Sequence, residues 1–128
     1  MSQLPEPRLG DLRILVVEDE MLIAEMIADT LQDAGCRVVG PATSLEPGKT
    51  LANNEDLDGA FLDINLAGKA SFAIADILLR RGIPLAFLTG YHEGAIPEAY
   101  RHCARLWKPF PLHELVALAR RHFAQRAI

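Results

Sequence analysis

Glu18, Asp19 and Glu20 stand together directly after one short apolar run, and Asp63 directly after another. Thr89 closes a third such run and Lys108 a fourth. Carboxylates gathered at one place need a cation or a proton to relieve their mutual repulsion. Hard oxygen donors without nearby cysteine or suitably placed histidine favour Mg²⁺, which commonly takes one or two carboxylates, several waters and a phosphate oxygen. Beside such an ion Asp63 is competent as a carboxylate nucleophile toward phosphorus, forming an acyl phosphate. A loose phosphoryl transition state asks mainly for in-line geometry and charge neutralisation, which Mg²⁺ and Lys108 would supply. The Thr89 hydroxyl would then hydrogen-bond one oxygen of the new phosphate and draw its loop inward.

Taken singly, each residue has a plainer reading. Acids at Glu18 to Glu20 cap a helix and complement its dipole. Asp63 serves as a turn residue, Thr89 and Gly90 form an ordinary turn pair, and Lys108 is a surface charge. The joint placement of these residues at successive strand ends is what chance explains poorly.

The elements that must position them are legible from periodicity. Arg13 to Val17 is β-branched, short and apolar on both faces, as a buried parallel strand is. Over residues 21–34, Ile23, Ile27 and Leu31 recur every fourth position and Gly35 ends the run, which predicts an amphipathic helix. The alternation continues. A strand is expected over 37–40, a helix over 45–53 with Ser44 as cap, a strand over 59–62, a helix over 71–81 and a strand over 84–88. A short helix near 97–102, a strand over 105–107 and a helix over 112–125 complete the series. Pro47 and Gly48 make the second helix the least secure element. Five strands alternating with five helices imply a doubly wound α/β sandwich around a five-stranded parallel sheet. In such sheets ligands bind beyond the carboxyl ends of the strands, where the strand order reverses, and that is where all these polar residues fall.

Composition sets limits on function. With 50% hydrophobic and 23% charged residues the chain is neither a disordered tail nor a coiled coil. A net charge of −4, without any block of lysine or arginine, disfavours a nucleic-acid surface. The polar, proline-containing segment 1–12 is expected to be a flexible arm, neither a secretory signal nor an anchor, and no apolar run reaches membrane-spanning length. A cytoplasmic protein is expected. Cys36 and Cys103 lack metal-ligand spacing and fit as buried small hydrophobes.

On these residues the chain resembles the receiver domain of bacterial response regulators, from about residue 13 to 125. Glu18-Asp19, Asp63-Ile64-Asn65, Thr89-Gly90 and Lys108-Pro109-Phe110 occur in the family's order and approximate spacing. The resemblance implies a flavodoxin-like (βα)5 three-layer sandwich, with the receiver domain over 13–128. It implies Asp63 as phosphoacceptor, direct Mg²⁺ binding by Asp19 and Asp63, Glu18 acting mainly through a coordinated water, and the Asn65 backbone carbonyl as the remaining protein ligand. The segment Phe87-Leu88-Thr89-Gly90-Tyr91 looks like that of the FATGUY subgroup, often built without an output domain. That subgroup implies a sensor histidine kinase of the HWE and related classes, or a phosphotransfer protein, as donor, and a downstream protein partner. No room for an output module is expected after the last helix. The first helix is the expected kinase-docking face and the region from Pro97 to the last helix the expected switch face. Many receivers carry Tyr or Phe three residues before the conserved lysine; here that position is Arg105, leaving Tyr91 to gate the site, shield it or simply pack. Trp107 is expected to be a partly buried strand residue. Lys108-Pro109 is an X-Pro bond of the kind that, when cis, aims the preceding side chain.

Three functions share this chemistry. A signalling receiver, which is not a turnover enzyme, is the leading one. An aspartate-nucleophile phosphohydrolase would place a second Asp two residues after the nucleophile, where Asn65 stands. A pseudo-receiver that binds partners without phosphorylation would have lost part of the set Glu18, Asp19, Asp63, Thr89 and Lys108, and here it is intact.

Overall fold

The computed structural model describes residues 9–90 and 96–124. Its main sheet is five parallel strands: β1 (Arg13–Val17), β2 (Arg37–Ala42), β3 (Gly59–Asp63), and, after a two-stranded hairpin formed by β4 (Asn65–Leu66) and β5 (Lys69–Ala70), β6 (Leu85–Thr89) and β7 (Ala104–Trp107). Four α-helices accompany them: α1 (Met21–Asp33), α2 (Leu45–Asn54), α3 (Phe72–Arg80) and α4 (His113–His122). The sheet order β2-β1-β3-β6-β7 places α2 and α3 over one face and α1 and α4 over the other, each layer with its own apolar cluster. Every residue of β3 and β6 is buried, as their unbroken apolar runs require. This is the doubly wound α/β fold expected. From β1 the chain steps outward to β2 and then crosses back to β3, so the order reverses between the carboxyl ends of β1 and β3.

Several local expectations are corrected. The arm is packed earlier than residue 12. Leu9 and Leu12 are buried in the cluster beneath α1, Asp11 N–H donates to the Gly35 carbonyl at 2.9 Å, and Arg37 N–H donates to the Leu12 carbonyl at 2.7 Å. Residues 1–8 lie outside the described residues. α2 forms despite its proline because Pro47 falls in the first turn, where helical N–H groups have no intrahelical partner. Gly48 there meets α3 so closely that a Cβ would lie 2.6 Å from Ile74 Cδ1. Ser44 occupies the N-cap position of α2 without a side-chain capping bond. In place of the expected fourth helix, the described residues between β6 and β7 form a 3₁₀ turn, Glu98–Tyr100. Its Tyr100 ring stacks on Phe72 with centroids 4.8 Å apart, and its hydroxyl donates to Asp76 on α3. A tertiary anchor has replaced helical periodicity. No helix among the described residues is long and apolar enough to cross a membrane.

Candidate functional site

The reversal of strand order brings the end of β1 beside the end of β3. Glu18, directly after β1, is fully buried, and its backbone N–H donates to Ala42 at the end of β2. Asp63, the last residue of β3, is 2% exposed. Lys108 follows β7, where its N–H donates to the Thr89 carbonyl at 2.7 Å and ties together the ends of β6 and β7. Its Nζ reaches across the sheet edge to Glu18 Oε1 at 2.7 Å and Asp63 Oδ2 at 3.1 Å. The Lys108-Pro109 peptide is cis, as is Gly40-Pro41.

Carboxylate oxygens of Glu18, Asp19 and Asp63 all lie within 4.8 Å of one another. Three acids thus face one ammonium group, and the imbalance shows at Asp63. Burial, followed by the hydrogen bond and negative charge of Glu18, pushes the Asp63 carboxyl up to about 8, against the opposing pull of Lys108. Burial acts the same way on Asp19 but is outweighed by its hydrogen bonding with the Glu18 side chain and with the Ala67 N–H, which leaves it below its ordinary value. Burial disfavours the Lys108 ammonium, yet Glu18 and Asp63 hold its pKa above the ordinary one. An all-oxygen cluster that keeps a proton for want of positive charge fits a hard divalent cation, which would take that proton's place.

The β4–β5 hairpin builds the second wall. Its turn residues Ala67 and Gly68 both have positive φ, 53° and 90°, as a two-residue hairpin turn requires. That turn aims Ala67 N–H at Asp19 Oδ2 (3.0 Å) and Gly68 N–H at the Asn65 side-chain oxygen (2.7 Å). Asn65 pairs with Ala70, one register out from the turn, where in such ladders both backbone groups point away from the partner strand. Accordingly, Asn65 N–H reaches Asp63 Oδ1 at 3.3 Å. Its carbonyl shares that outward edge, consistent with the ligand role expected of it. This hairpin was missed in the sequence. Gly68, three residues after Asn65, is the one local signal for it, and alanine at the preceding turn position hides the usual Asn-Gly signature.

The other expected residues sort as follows. Thr89 is buried at the end of β6, and its hydroxyl lies 3.5 Å from the Gly90 carbonyl, too long to hold it in place. Glu20 is not part of the cluster: it occupies the N-cap position of α1, without a side-chain capping bond. Arg105 donates from Nη2 to the Arg101 carbonyl at 2.9 Å, so the usual switch position holds a tethered cation instead of a ring. Tyr91 lies outside the described residues. Trp107 is corrected: it is 56% exposed, because β7 is an edge strand and only a 3₁₀ turn precedes it among the described residues. Cys36 and Cys103 are buried free thiols, with burial pushing Cys36 up to about 11.

Comparison with known proteins agrees with this geometry. The family model described as "Response regulator receiver domain" matches residues 14–120. The transcriptional regulatory protein PdtaR of Mycobacterium tuberculosis is 29% identical over 108 residues, covering 81% of this chain and 53% of that protein. The phyllosphere-induced regulator PhyR of Methylorubrum extorquens is 30% identical over 113 residues, covering 83% of this chain and 42% of that protein. This chain therefore spans about half the length of these curated relatives. Among solved structures, SdrG from Sphingomonas melonis Fr1 superposes with a TM-score of 0.75 at 34% identity, covering 86% of this chain and 95% of that one.

Proposed function

Since the chain belongs to the response regulator receiver domain family, we propose that it is a phosphoacceptor signalling domain in which Asp63 takes a phosphoryl group from a partner histidine kinase or phosphotransfer protein. The observation that carries this reading is the buried Asp63 carboxyl at the sheet edge, 3.1 Å from Lys108 Nζ and within 4.8 Å of the Glu18 and Asp19 oxygens. An Asp63 oxygen attacks phosphorus, the bond from phosphorus to the donor nitrogen breaks, and that nitrogen takes up a proton. Lys108, already paired with Asp63, turns its ammonium to an oxygen of the arriving group. Thr89, whose hydroxyl is loosely held, donates to another and carries the end of β6 toward the site. Glu18, Asp19, Asp63 and the Asn65 carbonyl would hold Mg²⁺, which supplies positive charge to the transferring group. On this reading the chain is a signalling component and not a turnover enzyme, working in the cytoplasm through a surface altered by phosphorylation.

The donor surface lies beside the site. α1 leaves Met21, Leu22 and Met26 exposed, and a cavity of about 460 Å³ between α1 and the segment after β7 is lined by Ile23, Met26, Ile27, Lys108, Pro109 and Phe110. An apolar surface sharing Lys108 with the acceptor site suits a helical donor that must bring its phosphohistidine to Asp63. The segment 87–91 supports the finer assignment of a FATGUY-type receiver served by an HWE-class kinase.

Incubation with acetyl phosphate should label the protein to about one phosphate per chain, a carboxylate nucleophile being used once per cycle. Labelling should require Mg²⁺ and disappear in Asp63→Asn. Persistent labelling of that variant would place the acceptor elsewhere.

A further inference from the structure

The two ends of the sheet differ in charge. The carboxyl end gathers Glu18, Asp19 and Asp63. At the opposite end, where β6 and β7 begin, a groove of about 790 Å³ opens between the turn after α3, the start of β7 and the last turns of α4. The half-buried Leu79 and Pro84 contribute its accessible apolar walls, backed by the core residues Ile83 and Leu118. Among the described residues its ionisable side chains are His102, Arg105, Arg121 and His122, together with the Cys103 thiol, and none of them is a carboxylate. For a chain with a net charge of −4, such an all-basic rim is a local reversal of sign. Arg105 bonds a backbone carbonyl, and among the described residues neither Arg105 nor Arg121 forms an ion pair.

We propose that this groove binds a small anionic amphiphile, a free molecule with an apolar body and a carboxylate or phosphate head. The volume lies within the range of about 300–1,000 Å³ usual for small-ligand sites, which pair apolar walls with a few convergent polar groups. An apolar body of roughly ten carbons lies along the Leu79 and Pro84 walls and leaves the head at the rim. There the guanidinium groups of Arg105 and Arg121 offer planar, forked donors matched to carboxylate or phosphate oxygens. The site is separate from the phosphoacceptor end and needs neither Mg²⁺ nor phosphorylation. Arg105 takes part through its position at the start of the edge strand, where a switch aromatic would present no charge.

The test is a two-dimensional ¹⁵N NMR titration of the full chain with sodium decanoate below its micelle concentration, run in parallel with decyltrimethylammonium. Saturable shifts with decanoate are expected at the backbone amides of 82–85 and 102–106 and near Leu118 and Arg121. The dissociation constant should rise about fivefold in Arg105→Glu and in Arg121→Glu, and by no more than about twofold in Arg121→Lys. Decyltrimethylammonium should give no saturable shift at these amides. Equal responses to the two amphiphiles would reduce the groove to a bare apolar surface and overturn the proposal. So would affinity unchanged in both charge reversals, with the spectra showing the fold intact.

Discussion

Asp63 is a carboxyl group that its surroundings hold in the protonated form. Burial and Glu18 raise it from an ordinary value near 3.8 to about 8. Between those two values the folded protein binds more protons than the unfolded chain, so stability declines as pH rises from about 4 through about 8. Asp63→Asn removes the titration while keeping the shape and one acceptor oxygen. With metal removed by EDTA, the variant should be more stable than the parent at pH 8 by on the order of 1–3 kcal/mol, with the gain shrinking toward pH 5. Urea titrations at the two pH values read this directly, and an equal gain at both would mean that Asp63 is already ionised at pH 5. At this scale the site was largely legible in the sequence. Glu18, Asp63, Thr89 and Lys108 each close an apolar run, and parallel strand ends meet at one edge whatever the loops do. Ala67 was not legible, because it acts through its backbone N–H and a side-chain reading has no means of finding it.

β3 places Asp63, and its first residue shows how tightly the layers fit around it. A Cβ on Gly59 would lie 2.4–2.7 Å from three ring atoms of Phe123, whose ring also packs edge-on against Phe61 at 5.2 Å. Gly59→Ala should therefore push Phe123 off its seat and cost about 1–3 kcal/mol, the usual scale of overpacking a filled core. Chemical denaturation measures it, and an unchanged midpoint would mean that Phe123 moves aside freely. The ring sits just past the end of α4, four residues after Ala119, inside the apolar cluster beneath that helix. Strands and helices were legible here because their apolar residues repeat with the period of the backbone. Elements held by single tertiary contacts were not. The 3₁₀ turn depends on Tyr100 meeting Phe72 and Asp76, and the exposure of Trp107 depends on which strand lies at the edge. Neither relation leaves a local pattern in the chain.

At the scale of the whole molecule the buried acidic cluster and the exposed apolar surface are separate. Glu18 and Asp63 of the acidic cluster are buried at the sheet edge, while the exposed apolar side chains of α1 lie next to it and take no part in its hydrogen bonds. Met26 is 45% exposed and lines the cavity that also touches Lys108. If this face receives the donor protein, its loss should slow only those transfers in which a protein must dock. Met26→Glu introduces a charge into the apolar surface at a position open enough to leave the core unaltered. Transfer from a phosphorylated histidine kinase should fall by about tenfold or more through weaker binding, the cost expected of burying an unpaired charge at an interface. Labelling by acetyl phosphate, which needs no docking surface, should stay at the parent rate. Equal slowing of both reactions would instead place the effect at Lys108 or Asp63, while unchanged transfer from the kinase would move the docking face away from α1.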